Sequence, residues 1–340
     1  MTHIVFVVSL FFLLPNINKK LPFFYFTFAV LFLFLALRYN YGNDYLSYSL
    51  IHSALNSGIS AWGENDILFK YSNILIYNFQ WFIAVVSFFY ILVIYQLIKK
   101  TILIENYWIS VLILLINPYL FLVHLSGIRQ TIAICFIIIS VFFLIKKRII
   151  YYLLFIIIAS GFHQSAIILL PMCFFINDRK IKKKWMVIIV GFLLFIVFTP
   201  LLELIINQTY QIFPQYRHYV EEGNENSVRS TLISSFLFFF IIFNINKLEG
   251  KELIFGKLSL IATIISIAAF KISMITRFGM YFDIFMIITI PQILTKINVR
   301  ANKQILFILI VLIYLLRYFS FFNNPLWHDA YSTYRTILEK

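Results

Sequence analysis

Apolar stretches recur along almost the whole chain, near residues 3–15, 21–37, 78–98, 104–123, 128–145, 149–161, 164–177, 185–206, 230–246, 254–272, 276–294 and 304–322. Runs approaching 20 apolar residues match a hydrocarbon layer about 30 Å thick. With 62% hydrophobic residues and a mean hydropathy of +0.91, the natural solvent of this chain is a bilayer. Within lipid every backbone N–H and C=O needs an internal partner, which leaves helices and closed barrels. The runs are unbroken Ile, Phe and Leu rather than alternating, so helices are expected. The expected fold is an all-α polytopic integral membrane protein of about twelve transmembrane helices (about 10–13, some short or re-entrant). No soluble domain, linker or clear repeat interrupts them, so residues 1–340 read as one multispanning domain.

Charge supplies the orientation. The chain carries 28 Lys+Arg against 14 Asp+Glu, a net +14. Nucleic acid is not needed to explain this, because cytoplasmic loops of membrane proteins collect Lys and Arg. Clusters at Lys19/Lys20, Lys99/Lys100, Lys146–Arg148, Arg179–Lys184, 247–257 and 296–303 are therefore expected inside. That holds only if 149–177 crosses twice, or dips in and returns, with its break at Gly161-Phe162-His163-Gln164 and Pro171 further on. Both chain ends and two loops then face outward: 38–77, with interfacial helices, and 207–229, which carries Glu221, Glu222 and Glu225. The first apolar segment has no basic leader or small-residue cleavage site and is expected to be a retained span. Cys135 and Cys173 both lie in apolar runs, which suggests neither a disulfide nor a thiolate metal site.

Arg38, Asp44, Glu64, Arg129, His163, Arg217 and Arg277 all map to the outer half, where charge bias does not require them. An ionisable group in the bilayer costs roughly 2.5–3.5 kcal/mol on insertion scales, so it needs a partner or a function. Arg129, with Gln130, opens a long apolar helix. It is either a snorkelling base or an anion site, since a guanidinium fork at a helix N-terminus suits phosphate. His163 sits at the chain reversal, as a turn residue or as a proton donor and acceptor. Arg277 begins another helix, with Tyr281 at i+4 and Asp283 deeper. In the first loop, Asp44 and Tyr48 share a helix face. The bland alternative there is an Arg38–Asp44 salt bridge, with Tyr45 and Tyr48 as belt aromatics. No GxSxG, HExxH, CxxC, GxxxxGK or GxGxxG occurs, so hydrolase, zincin, redox and nucleotide motifs are unsupported.

The ordered motifs are R-x5-D-Y-x-x-Y (Arg38, Asp44, Tyr45, Tyr48), Glu64, G-I-R-Q-x-I-A (127–133), F-H-x-S-A (162–166) and R-F-x-x-Y-F (277–282). In this order, over residues 35–290, they resemble the EpsG-type family of bacterial polysaccharide polymerases, related to Wzy-type O-antigen and capsule polymerases. The resemblance implies a GT-C-like lipid-linked glycosyltransferase architecture. It also implies polymerisation of undecaprenyl-pyrophosphate-linked oligosaccharides at the outer face of the inner membrane, with no cofactor and no metal. A chain-length regulator and a repeat-unit flippase are the partners it implies beyond the bilayer, with no nucleic acid. Under this resemblance Arg129 and Arg277 hold the departing pyrophosphate, with Gln130 and Tyr281 beside them, and His163 donates or shuttles a proton. Asp44 or Glu64 is the general base, and Arg38 and Tyr48 form a further wall of the substrate site. A repeat-unit flippase and a multispan O-acyltransferase are the rival readings.

Overall fold

The computed structural model describes residues 2–13, 22–200, 204, 208, 228–270 and 275–339, which fall into two compact units. The first unit comprises Met1–Phe175 and Ile305–Lys340, and the second Ile176–Gln304. The first begins with α1 (Thr2–Leu13), α2 (Pro22–Ala36), α3 (Tyr45–Asn56), α4 (Ile67–Leu75) and α5 (Phe79–Thr101). It continues with α6 (Tyr107–Ile116), α7 (Pro118–Phe121), α8 (Val123–Ser126), α9 (Ile128–Ile145), α10 (Ile149–Phe162) and α11 (Met172–Phe175). The second holds α12 (Lys183–Phe198), α13 (Val228–Asn244), α14 (Lys251–Ala268), α15 (Thr276–Asp283) and α16 (Met286–Thr295). The chain returns to the first unit within α17 (Arg300–Phe322) and ends with α18 (Pro325–Tyr331).

Among the described residues, four helices are long and apolar enough to cross a bilayer: 79–101, 128–145, 228–247 and 300–322. Two broken pairs pass the same test together, bent by 91° between 104–116 and 118–126 and by 52° between 276–283 and 286–295. Pro118 explains the first break, because it lacks an N–H and disfavours helical backbone before it. Four further apolar helices, such as 149–162, are shorter. At 1.5 Å per residue, 14 residues reach only about 21 Å, short of a hydrocarbon core. The membrane-helix expectation therefore holds as four to six spans of full length. Most of the loop expected at 207–229, with Arg217, His218 and the three glutamates, lies outside the described residues, as do Lys19, Lys20 and Lys271.

The expected reversal at 161–164 is formed. α10 stops at His163, whose backbone is extended, and a 3-10 turn over Gln164–Leu169 follows. The returning segment packs on α10, with the Tyr152 hydroxyl donating to the Leu169 carbonyl. Gly161 lets the Leu68 side chain of α4 lie where a Cβ would stand 2.7 Å from its Cδ1.

Each unit has chemically distinct ends. In the first, α9 starts at Arg129 and finishes beside Lys146, while Lys99 and Lys100 close α5 and lie over the rings of Tyr25 and Phe142. The opposite end gathers the 38–77 loop, the 161–164 reversal and residues 325–339. In the second unit, Lys257 Nζ donates to the carbonyls of Asn177 and Arg179, Asn246 bonds Ile181, and Lys296 pairs with Glu252 at 3.4 Å. The basic loops of that unit thus share one end, as charge bias predicts. Among the described residues the all-helical expectation has one exception: Arg38–Tyr39 pairs antiparallel with Arg335–Thr336. Two segments that leave their helices side by side satisfy their free backbone groups on each other.

Candidate functional site

α3 and α4 fold the first loop onto α5 and α9. Tyr45, Tyr48, Ile51 and Leu55 of α3 bury one stripe at helical spacing against Phe69, Phe82, Ile128 and Ile132. His52 clamps the two loop helices, its ring nitrogens meeting Asn73 Oδ1 at 2.9 Å and the Tyr77 carbonyl at 2.8 Å. This packing delivers the 59–66 segment over the first turn of α9.

There the Arg129 guanidinium meets a carboxylate. Nη1 donates to Asp66 Oδ2 at 2.5 Å, and both side chains are almost sealed, at 10% and 4% exposure. Asp66 Oδ1 accepts from the Gln164 N–H at 3.1 Å, and His163 Nδ1 stands 4.0 Å from Oδ2. One buried carboxylate thus ties the first loop, the start of α9 and the chain reversal together. Asp66 occupies the N-cap position of α4 yet makes no side-chain cap bond. Its oxygens serve Arg129 and Gln164 instead, a departure from the usual duty of a capping aspartate.

The rest of the guanidinium shell is aromatic. Arg129 lies 4.0 Å over the Trp62 ring and 5.8 Å from that of Phe69, while Trp62 itself is 63% exposed. Stacking of this kind favours Arg over Lys. Gly63 has φ +87°, and a Cβ there would fall 2.7 Å from Arg129 Nη1, so glycine is required on both counts. Tyr48 is buried against the same group. Burial raises its phenol pKa, opposed by the Arg129 charge. Arg129 Nε is buried without a hydrogen-bond partner, so donor capacity remains. Glu64 accepts from Ser60 Oγ at 2.6 Å near the surface, and Gln130 is buried on α9.

Arg38, expected in the wall of the substrate site, lies inside the protein. It is 3% exposed, and Nη2 donates to the Leu125 carbonyl at 3.1 Å. Nε and Nη1 have no hydrogen-bond partner. The Arg38–Asp44 salt bridge is not formed among the described residues: Arg38 points inward to α8, whereas Asp44 stays exposed at the start of α3. Burial holds the Arg38 pKa down at about 10, opposed by Tyr331, Tyr45, Tyr334 and Tyr41. The C-terminal segment closes this region. Tyr331 bonds Ser126 Oγ at 2.6 Å and the Leu122 carbonyl at 3.0 Å, and the Tyr334 hydroxyl donates to the Phe34 carbonyl.

In the second unit, Arg277 opens α15 as an exposed residue, while Tyr281 one turn later is fully buried. They lie at the end of α14 and α15 opposite the basic loops. Sequence motifs picked out Arg129, His163 and Tyr48, which the fold gathers. Asp66 was missed, since an aspartate before an amphipathic helix reads as an ordinary cap. Among the described residues, no three of His, Cys, Asp and Glu come close enough to hold a metal ion.

No curated protein and no solved structure matches the chain. The model of the EpsG family matches residues 21–336, nearly its whole length, and takes in α2 to α18 and every residue gathered at Arg129. With its apolar helices and its ordered motifs, the chain belongs to the EpsG family of Wzy-like polysaccharide polymerases.

Proposed function

We propose that the protein extends a bacterial surface polysaccharide by joining undecaprenyl-pyrophosphate-linked repeat units at the outer face of the cytoplasmic membrane. In this reading the bond from the donor's anomeric carbon to its phosphate oxygen breaks as a hydroxyl of the acceptor unit forms the new glycosidic bond. The hydroxyl proton passes to a base, and the lipid pyrophosphate leaves. The helical bundle is read as GT-C-like, with a chain-length regulator and a repeat-unit flippase as partners.

The observation that carries the reading is the Arg129–Asp66 pair with His163 beside it, at the end of α9 opposite Lys146. A leaving pyrophosphate needs fixed positive charge, and a guanidinium already oriented by a carboxylate and an aromatic ring costs little reorganisation. Asp66 acts as the positioning residue for Arg129. Glu64 or Asp44 takes the acceptor proton, and His163 relays it. Gln130 and Tyr48 line the Arg129 side.

Deletion of the gene with complementation tests this. The null strain should carry single repeat units on its lipid carrier, and the wild-type gene should restore long chains on a gel. Arg129→Lys should shorten the chains sharply, because lysine loses the fork and the stacking. Absence of any lipid-linked unit at the outer face would indicate a flippase. Normal ladders with altered acylation would indicate an acyltransferase. Wild-type chain length in Arg129→Lys, at normal expression, would remove Arg129 from the mechanism.

A further inference from the structure

We propose that the pocket beside Arg38 is a buried binding site for a single halide-sized anion, physiologically chloride. It lies among residues of α2, α5, α8 and α9 and amounts to a partly open cavity of about 10 Å3. That is room for one water-sized occupant and far too little for a phosphate. Arg38, Ser87, Tyr90, His124 and Thr131 are its polar lining, and the remainder is aliphatic.

Charge identifies the occupant. Arg38 brings a guanidinium into a site where it is 3% exposed, and among the described residues it forms no ion pair. An uncompensated buried charge is strongly unfavourable, and arginine cannot shed its proton as lysine does. Nε and Nη1 are left without protein acceptors. The neighbouring hydroxyls are already committed: Tyr90 donates to the Leu120 carbonyl and Thr131 to the His124 carbonyl. Tyr331 and Tyr41 remain neutral phenols, since burial raises both. Arg38 thus offers the cavity donors and positive charge without a countercharge, and the adjacent Ser87 hydroxyl is a further donor. A water molecule can accept from Arg38 but leaves its charge unbalanced. A chloride satisfies both requirements.

The β1–β2 pairing holds Arg38 to the C-terminal segment, and the Gly42 N–H donates to the Ala330 carbonyl at 3.1 Å. The site therefore stabilises the junction of the first loop with the C-terminal segment and does not contact the polysaccharide.

The test is thermal unfolding of the purified full-length protein in detergent, with chloride replaced by gluconate at constant ionic strength. Chloride and bromide should raise the unfolding midpoint saturably by roughly a few degrees over gluconate. Arg38→Gln should abolish the difference. Should that variant not fold, Ser87→Ala keeps the test open by shifting half-saturation to higher halide concentration. Crystals grown in bromide should give an anomalous peak beside Arg38 Nε in the wild-type protein. Equal midpoints in all three salts, halide dependence surviving Arg38→Gln, or bromide crystals without that peak would each overturn the proposal.

Discussion

Removing Asp66 and removing its ion pair with Arg129 are different experiments. Asp66→Asn leaves a buried guanidinium without its countercharge, a loss of about 3–5 kcal/mol for comparable buried pairs. The double variant Arg129→Met with Asp66→Leu deletes both charges and should recover most of that stability, while polymer synthesis stays lost. Unfolding midpoints alongside chain length on a gel separate the two effects. Recovery of polymer in the double variant would make the pair structural only. The motif G-I-R-Q made Arg129 visible in the sequence, because an arginine opening an external apolar helix stands out against the expected charge bias. Its partner lies 63 positions earlier in a loop, where nothing local distinguishes it from a helix cap. Propensity rules describe what an aspartate does for its own helix, not what it does for a distant one.

At the scale of elements, the first loop and the C-terminal segment form one module joined by tyrosines. Burial raises the phenols of Tyr41, Tyr45, Tyr48 and Tyr331, and pushes Tyr334 up to about 12. In the unfolded chain they ionise near pH ~10. The stabilisation is thus complete below about pH 10 and falls as the pH rises through the folded values, because only the unfolded chain ionises freely. Unfolding midpoints followed with tyrosinate absorbance should decline from about pH 10 upward. Tyr331→Phe, which cannot bond Ser126 or the Leu122 carbonyl, should lower stability by about 1 kcal/mol near neutral pH. An unchanged midpoint would detach that hydroxyl from the module. Helix positions were readable from hydropathy, and so was the turn at His163, because Gly161 and the polar run interrupt an apolar stretch. The β1–β2 pairing was not readable: two residues on each side carry no pattern, and their register is set by helices distant in sequence.

For the whole molecule, the separation of the Lys99/Lys100 and Lys146–Arg148 clusters from Arg129, Asp66 and His163 gives a topology that can be measured. In a protein with Cys135 and Cys173 replaced by alanine, Ser60→Cys should react with a membrane-impermeant maleimide on intact cells. Lys147→Cys should react only after permeabilisation. The reverse result would put the candidate site on the cytoplasmic side and end the proposed use of externally displayed lipid-linked units. Composition was sufficient to identify a membrane protein, and charge supplies the loop orientation that this labelling measures. The division into two units, with 176–304 set between the two parts of the first, left no mark in composition. Both units draw on the same apolar residues.

The contact between Tyr334 and Phe34 joins residues 300 positions apart. At bacterial synthesis rates of about 5–20 residues per second, the segment that covers Arg38 emerges roughly 15–60 s after the loop it covers. Throughout that interval Arg38 and Tyr39 lack their strand partners, and the second unit is made before the first can be completed. Completion of the first unit is thus a timed event, and a ribosome stalled short of Tyr331 would leave a membrane-inserted chain with an unpaired β1 edge for quality control to recognise.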